Sequence, residues 1–323
     1  MTTRRAALAL ALATPAIARA QPAWRPDHPI RAVVPFAPGG ATDVVARVLS
    51  ETVGAQLGQP LVIENRAGGA AGLIGTDAVA KSAPDGYTIL IHSNAHVIAP
   101  SLVAHMPYDP IADFAGVAHL GVIPQVLVVN PRLPVTDMAS LLTWLRANSG
   151  KINFASAGIG SANHLASEVF RAAVPGVEMQ IVQYRGGGPA MAAVISGEAH
   201  MAVDPVASAV PHIRGGTVRA IAVAGPARAA VLPEVPSATE AGLPAWAAGA
   251  WFLALAPART PPAAIAALNA AFNEAMVRLA PRLGELGVER QPQYATPEAL
   301  MTYVRAEQVR SAAVLRAAGV LPE

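Results

Sequence analysis

Two glycine-rich turns carry the residue types and spacing that suit chemistry on an anion. The first runs Phe36-Ala37-Pro38-Gly39-Gly40-Ala41-Thr42-Asp43 and the second Ser156-Ala157-Gly158-Ile159-Gly160-Ser161-Ala162-Asn163-His164. Each follows a short apolar run that reads as a buried strand, and each opens a stretch with helical periodicity. A strand, a glycine turn and a helix together aim free backbone N–H groups and a positive helix end at one point. Glycine adds close approach, because no Cβ stands between the backbone and a ligand. Two such points predict a clamp for a small carboxylate rather than a catalyst.

The individual roles follow from position. Around the first turn the expected ligand-facing set is Phe36, Gly39, Gly40, Ala41, Thr42 and Asp43. Thr42 and Asp43 are also N-cap candidates. A bare carboxylate would repel Asp43, so that residue is expected to cap the helix or to hold water. Around the second turn, Ser161 is expected to cap and Ser156 to donate to the ligand, with Ala157 and Gly158 beside it. His164 falls in the first helical turn, where the positive helix end disfavours an imidazolium. It reads either as a neutral donor to the ligand or as a structural histidine. Strand ends supply Ser93, Asn94, Tyr184, Gly186 and Asp204, since open α/β sheets bind ligands there. Asp204 either caps a turn or accepts a ligand ammonium. Phe36, Ile159 and Tyr184 are expected to set pocket size. Arg66 is expected to pair with a neighbouring acid and Arg185 to point outward.

Enzyme motifs are missing from the sequence. Phe154-Ala155-Ser156-Ala157-Gly158 lacks the first glycine of a nucleophile elbow, and Asn163 stands where a dinucleotide fingerprint needs its third glycine. No catalytic residue is assigned; a hydrolase using Ser156 and His164 is the weaker alternative. No cofactor is expected. His92, His96 and His105 fall close together, but on a loop and without metal-site spacing.

The elements that must position the turns alternate along the chain. Strands are expected at 30–34, 61–64, 87–91, 152–155, 179–184, 201–204, 218–224 and 250–256. Helices are expected at 72–81, 137–148 and 190–196, and after Thr260-Pro261 and Thr296-Pro297. Val45, Val48, Leu49, Val53 and Leu57 mark one helix face; Leu165, Val169, Phe170 and Ala173 mark another. The pattern predicts an α/β fold of mainly parallel sheets flanked by helices, in two lobes. The apolar runs 120–130 and 250–256 read as crossover strands that form the hinge. Lobe 1 is then 21–123 plus 250–323, and lobe 2 is 124–249.

Export is expected from residues 1–20. Arg4 and Arg5 precede an apolar stretch from Ala6 to Ile17, and Ala18-Arg19-Ala20 is an A-x-A cleavage signature. Thr3-Arg4-Arg5 leaves both the secretory and the twin-arginine routes open. Cleavage removes Arg4, Arg5 and Arg19 and no acid, leaving 20 basic against 21 acidic residues and a net charge of −1. Nucleic acid is therefore not an expected partner. With no cysteine, there are no disulfides, thiol nucleophiles or lipid anchor. The product is expected to be a monomer, free in the periplasm.

An ordered series of short pieces carries a family resemblance along nearly all of the mature chain. They are Pro35–Asp43, Val62-Ile63-Glu64-Asn65-Arg66, Pro84-Asp85-Gly86-Tyr87-Thr88, Tyr108-Asp109-Pro110 and Ser156-Ala157-Gly158 with Gly160-Ser161 and His164-Leu165. Tyr184-Arg185-Gly186, Leu232-Pro233-Glu234-Val235-Pro236 and Glu240-Ala241-Gly242-Leu243-Pro244 complete the series. The chain resembles the Bug family of periplasmic receptors of tripartite tricarboxylate transporters. That resemblance implies a Venus-flytrap fold and a small organic anion held partly through water. It also implies integral membrane transporter subunits as partners, or alternatively a membrane sensor kinase. Ala67, His200 and Gly187-Gly188 depart from the family pattern.

Overall fold

The computed structural model describes residues 24–39, 41–184, 186–317 and 319–322. The expected leader, Gly40 and Arg185 lie outside these. The chain runs β1 (Ile30–Val34), α1 (Ala41–Leu57), β2 (Leu61–Asn65), α2 (Leu73–Ala80), β3 (Thr88–Ser93) and the short α3 (Ala95–Ile98). Then come β4 (Phe114–Val129), α4 (Met138–Ala147), β5 (Ile152–Ser156), α5 (Ala162–Ala173), β6 (Met179–Gln183), α6 (Gly187–Ser196), β7 (Met201–Pro205), α7 (Val206–Arg214) and β8 (Arg219–Val223). β9 (Gly249–Pro257), α8 (Pro262–Arg278), α9 (Ala280–Glu285) and α10 (Pro297–Ala317) close it.

The strands form two lobes joined by one continuous strand. Strand order is β2-β1-β3-β9-β4-β7-β5-β6, with β8 also on β4. From Phe114 to Pro124, β4 pairs antiparallel with β9; from Gln125 to Val129 it pairs with β7, and β8 flanks it from Val126. β9 starts at the same level, Gly249 facing Pro124. The β1, β2, β3 group and the β5, β6, β7 group are parallel, as the alternation predicts. Every pairing of β4 and β9 is antiparallel, so the sheets are mixed where the chain passes between lobes. β4 is also longer than the 120–130 run, because its first residues find a partner in β9.

Each sheet is covered on both faces. Ile30, Ala32, Val34 and Ile91 pack against Val45, Leu49 and Val53 of α1 and Leu268 and Phe272 of α8. Val48 and Leu57 flank that core, completing the face read from periodicity. The other side of the first sheet, with Val33, Leu90 and Leu253, lies under Leu300 and Val304 of α10. In the second sheet Leu127, Phe154 and Val203 meet Val169 and Phe170 of α5, while Val126, Ala155 and Ala202 meet α6 and α7. Burying each of these large side chains contributes about 1.5–3 kcal/mol, which offsets the ordering entropy of the chain. α10 touches α3 of the first lobe and α5 of the second, and Arg310 donates to the Ala247 carbonyl.

Three histidines are built into the first lobe. His92 and His96 are buried on β3 and α3 rather than on a loop, and His119 is buried on β4. His92 meets His96 edge-on, and His96 stacks on Tyr108 and bonds the Pro110 carbonyl at 2.8 Å. Burial holds the His92 pKa well below its usual value, and brings His96 and His119 down to about 4. Such groups bind protons in the unfolded chain near pH 6.5 but not in the folded one. Their contribution is therefore full above pH 6.5 and is lost as pH falls towards 4. At pH 5.5 each of His96 and His119 should remove on the order of 1 kcal/mol. Urea midpoints measured between pH 7.5 and 5.5 should fall accordingly, and the fall should be smaller in His96→Phe.

Candidate functional site

The carboxyl ends of β1, β3, β5, β6 and β7 converge where the lobes meet. In the second sheet Ser156 lies opposite Gln183, and Tyr184 donates its N–H to the Ser156 carbonyl at 2.8 Å. β7 ends beside them with Asp204 and Pro205. α5 begins at the interlobe boundary: Ala162, its first residue, packs against the core of the first lobe. Gly160, just before it, abuts Leu102 of the first lobe; a Cβ there would come within 2.5 Å of the Leu102 side chain.

The two turns are one device built twice. In the first, Gly39 (φ +84°) donates its N–H to Asp43 Oδ2 at 2.8 Å. In the second, Gly160 (φ +76°) donates its N–H to His164 Nδ1 at 3.2 Å. Each acceptor is the third residue of its helix and lies four residues after the glycine. The next helical turn steadies the acceptor, as side chains four apart share a face. Arg47 holds Asp43 at 2.9 Å; Glu168 lies 3.6 Å from His164 and is itself held by Arg171 at 2.6 Å. Asn65 adds a bond to Asp43 at 2.9 Å and another to the Phe36 carbonyl at 3.1 Å. Burial would raise the Asp43 pKa, but the bonds from Arg47, Gly39 and Asn65 outweigh it and bring the value down to about 2.

This geometry sorts the sequence-derived residues. Thr42 and Asp43, expected as caps, instead lie inside α1. Asp43 is a buried brace: its carboxylate is taken up by Gly39, Arg47 and Asn65, and none of these donors is a free N–H of the first helical turn. Thr42 is buried and Ala41 exposed at the same helix end, and Gly39 is exposed. Gly40 lies outside the described residues. Phe36 is half-buried, edge-on to His92 with centroids 5.1 Å apart. Ser93 Oγ accepts from Ala95 N–H at 3.3 Å, and Asn94 is buried with its N–H on the Trp251 carbonyl. Ser161 caps α5 by accepting from His164 N–H at 3.0 Å. Half-buried Ala157 and Gly158 (φ +117°) follow Ser156, and Gly186 (φ +125°) opens α6. Arg66 pairs with Glu64 at 3.4 Å.

Two expected donors turn elsewhere. His164 Nδ1 accepts from Gly160 and its Nε2 faces Glu168, so both ring nitrogens meet groups of its own turn and helix. The Tyr184 ring packs on the core beneath α6, and its hydroxyl donates to Glu198 at 2.8 Å, at the far end of β7. Only its backbone borders the turn, the carbonyl lying 3.3 Å from where a Gly158 Cβ would stand. Ser156 and His164 share no hydrogen bond, the His164 Nδ1 accepting from Gly160 instead.

Two polar groups remain with unusual surroundings. Ser156 is fully buried and its hydroxyl has no partner among the described residues. Asp204 is buried, accepting from Asn163 at 3.0 Å and from Ser208, with Gly187 against it. Burial pushes its pKa up to about 6 against those bonds. Asn163 and Ser208 were not read from the sequence; the Asn beside a capping Ser was the available signal.

Comparison with known proteins settles the family. Residues 45–320 match the model described as the tripartite tricarboxylate transporter family receptor. The chain belongs to this family. BugT of Bordetella pertussis is 38% identical over 296 residues, 91% of this chain and 90% of BugT. The periplasmic binding protein BugD is 33% identical with a TM-score of 0.75, over 92% of this chain and all of BugD. R. palustris Rpa4515 with adipate is 32% identical, TM-score 0.76, over 92% of this chain and 99% of that one. MatC of Rhodopseudomonas palustris with bound malate is 36% identical, TM-score 0.73, over 90% and 99%. The two-lobed fold is thus that of this receptor family, whose members are periplasmic solute-binding proteins. None of the described helices is long and apolar enough to cross a membrane.

Two outcomes follow for the receptor. Asn at position 164 places Oδ1 as far along the side chain as Nδ1, so His164→Asn should keep the Gly160 bond and ligand affinity. His164→Ala should lose roughly five- to tenfold, about one hydrogen bond; calorimetric titration of both variants checks this. An ionised Asp204 costs stability above pH 6, because its folded pKa exceeds the unfolded one. The cost builds as pH rises from about 4 to 6, so Asp204→Asn should raise the ligand-free stability at pH 7.5 by about 1–3 kcal/mol, by about half as much at pH 5 and by little at pH 4, in urea denaturation.

Proposed function

We propose that this chain captures a small organic carboxylate between its lobes and delivers it to the membrane subunits of a tripartite tricarboxylate-type transporter. The observation that carries the reading is the Ser156 hydroxyl, fully buried and without a partner at the carboxyl end of β5. Leaving a buried donor unmade costs about 1–3 kcal/mol, so an acceptor belongs there. The turn after it opens α5, a twelve-residue helix whose positive end favours a negative charge. The adipate and malate held by related structures support an organic acid as that charge.

In this reading the leader is cleaved after Ala20, the mature chain works as a periplasmic monomer, and binding needs neither metal nor nucleotide. No bond is made or broken. The lobes divide as 21–123 with 250–323 against 124–249, consistent with the change of β4 partners after Pro124. Ligand sits between the braced turns, with backbone donors from both and the Ser156 hydroxyl from one. The buried Asp204 carboxylate lies at the same strand ends and would suit an ammonium or hydroxyl on the acid.

A thermal-shift screen of the purified protein against mono-, di- and tricarboxylates should find acids that raise its melting temperature. Ser156→Ala should weaken the best of them about 10- to 100-fold, as for one charge-assisted hydrogen bond, without lowering the ligand-free melting temperature. Arg66→Ala should leave affinity unchanged. Absence of any shift, or full affinity in Ser156→Ala, overturns the reading.

A further inference from the structure

β4 carries a polar interruption that the motifs do not explain. From Leu120 to Val129 the strand is apolar except for Gln125. On the face it shares with Gln125, Ile123 belongs to the core of the first lobe and Leu127 to that of the second. Gln125 therefore stands in the gap between two hydrophobic cores on one unbroken strand. It is fully buried, and neither Nε2 nor Oε1 of its carboxamide has a partner. The residue before it pairs with β9 and the residue itself faces Pro205, next to Asp204 at the end of β7.

Folding alone gives no reason for this residue. A buried amide with both ends unmade is destabilising, whereas a leucine there would join the two cores. The same sheet face carries Ser156, because Phe154 and Leu127 both lie under α5 and alternate residues share a face. Two orphaned polar side chains thus occur on one face of the second sheet, where α5 begins.

We propose that Gln125 is a ligand-binding and specificity-determining residue at the floor of the interlobe cleft. Its carboxamide, a donor and an acceptor at once, meets a hydroxyl or amide group on the acid whose carboxylate the turns hold. The inference rests on the carboxylate-receptor reading and narrows it to acids with a second, uncharged hydrogen-bonding group. A neutral amide bonds a hydroxyl or amide group without the counter-charge that a carboxylate would need. A site built to bond a hydroxyl rejects the analogue without it strongly, because its own polar groups are then left unpaired.

The test uses the protein purified from the periplasm, wild type and Gln125→Leu, titrated with acids that differ by one group: malate against succinate, lactate against propionate, and succinamate against succinate. Wild type should prefer the hydroxyl- or amide-bearing member of at least one pair by tenfold or more. Gln125→Leu should abolish that preference, while its ligand-free melting temperature rises by about 2–4 °C. Loss of affinity together with gain of stability separates a ligand contact from a structural role, which would move both the same way. The inference is overturned if the variant keeps the preference, or if it loses stability along with affinity. If wild type binds acids but prefers no substituted member, the inference fails and the receptor reading stands. If wild type binds no organic acid at all, the receptor reading falls first and the inference with it.

Discussion

One strand is hydrogen-bonded into two sheets, and the rest of the molecule depends on it. β4 spends its first eleven residues, Phe114–Pro124, on β9 and its last five, Gln125–Val129, between β7 and β8. Because one strand runs through both sheets, the two lobes are tied to each other through its backbone even though their side-chain cores are separate and the ladder is bulged at Gly116–Ala118, His119–Val122 and Leu127–Val128. That places the carboxyl ends of both parallel groups on a common border. Without the shared strand, the two glycine turns would belong to unrelated surfaces.

The turns themselves show how a glycine loop at a helix start can be made rigid by the residues that follow it. Each glycine gives its N–H to the third residue of the helix that follows, and that acceptor is anchored one turn further on. The chemistry of the acceptor differs. The first lobe uses a carboxylate whose charge Arg47 balances; the second uses a neutral ring backed by Glu168 and Arg171. The cost of the arrangement falls on neighbouring groups. Ser156 and Gln125 are buried without partners, and Asp204 holds a charge where burial disfavours one. Buried polar atoms without partners also occur away from the turns, at His92, His96, Tyr108 and Thr260, but Ser156 and Gln125 share one sheet face at the lobe border.

Much of this was legible in the residues. Apolar runs ending in glycine placed β1 and β5, the periodic faces of α1 and α5 were correct, and Ser161 was read as a cap from its type and position. Ser156 was singled out in its turn for the same local reasons, and it is the residue there whose hydroxyl is buried without a partner among the described residues. What local pattern does not contain is direction. Tyr184 ends a strand near the turn, yet its ring follows the sheet back to Glu198, a choice made by the space beneath α6. His164 was legible as a residue of the first helical turn but not as turned upon Gly160, since that depends on the turn closing to hydrogen-bond distance. The start of β4 was missed because Gly116, His119 and Gly121 break the apolar run, and its partner β9 is more than a hundred residues away. Gln125 was visible as one polar residue in an apolar strand, but its lack of partners is a property of the surroundings.

α10 gives the hinge a mechanical character. Its length lets one rigid rod lie against α3 in one lobe and α5 in the other, with Arg310 tied to the Ala247 carbonyl just before β9. Two strand passages with a rod lashed across them leave little freedom for the lobes to slide or splay. The remaining soft coordinate is a rotation about the line of the passages. A receptor so constrained searches few orientations when it shuts, and gives up correspondingly little entropy in doing so.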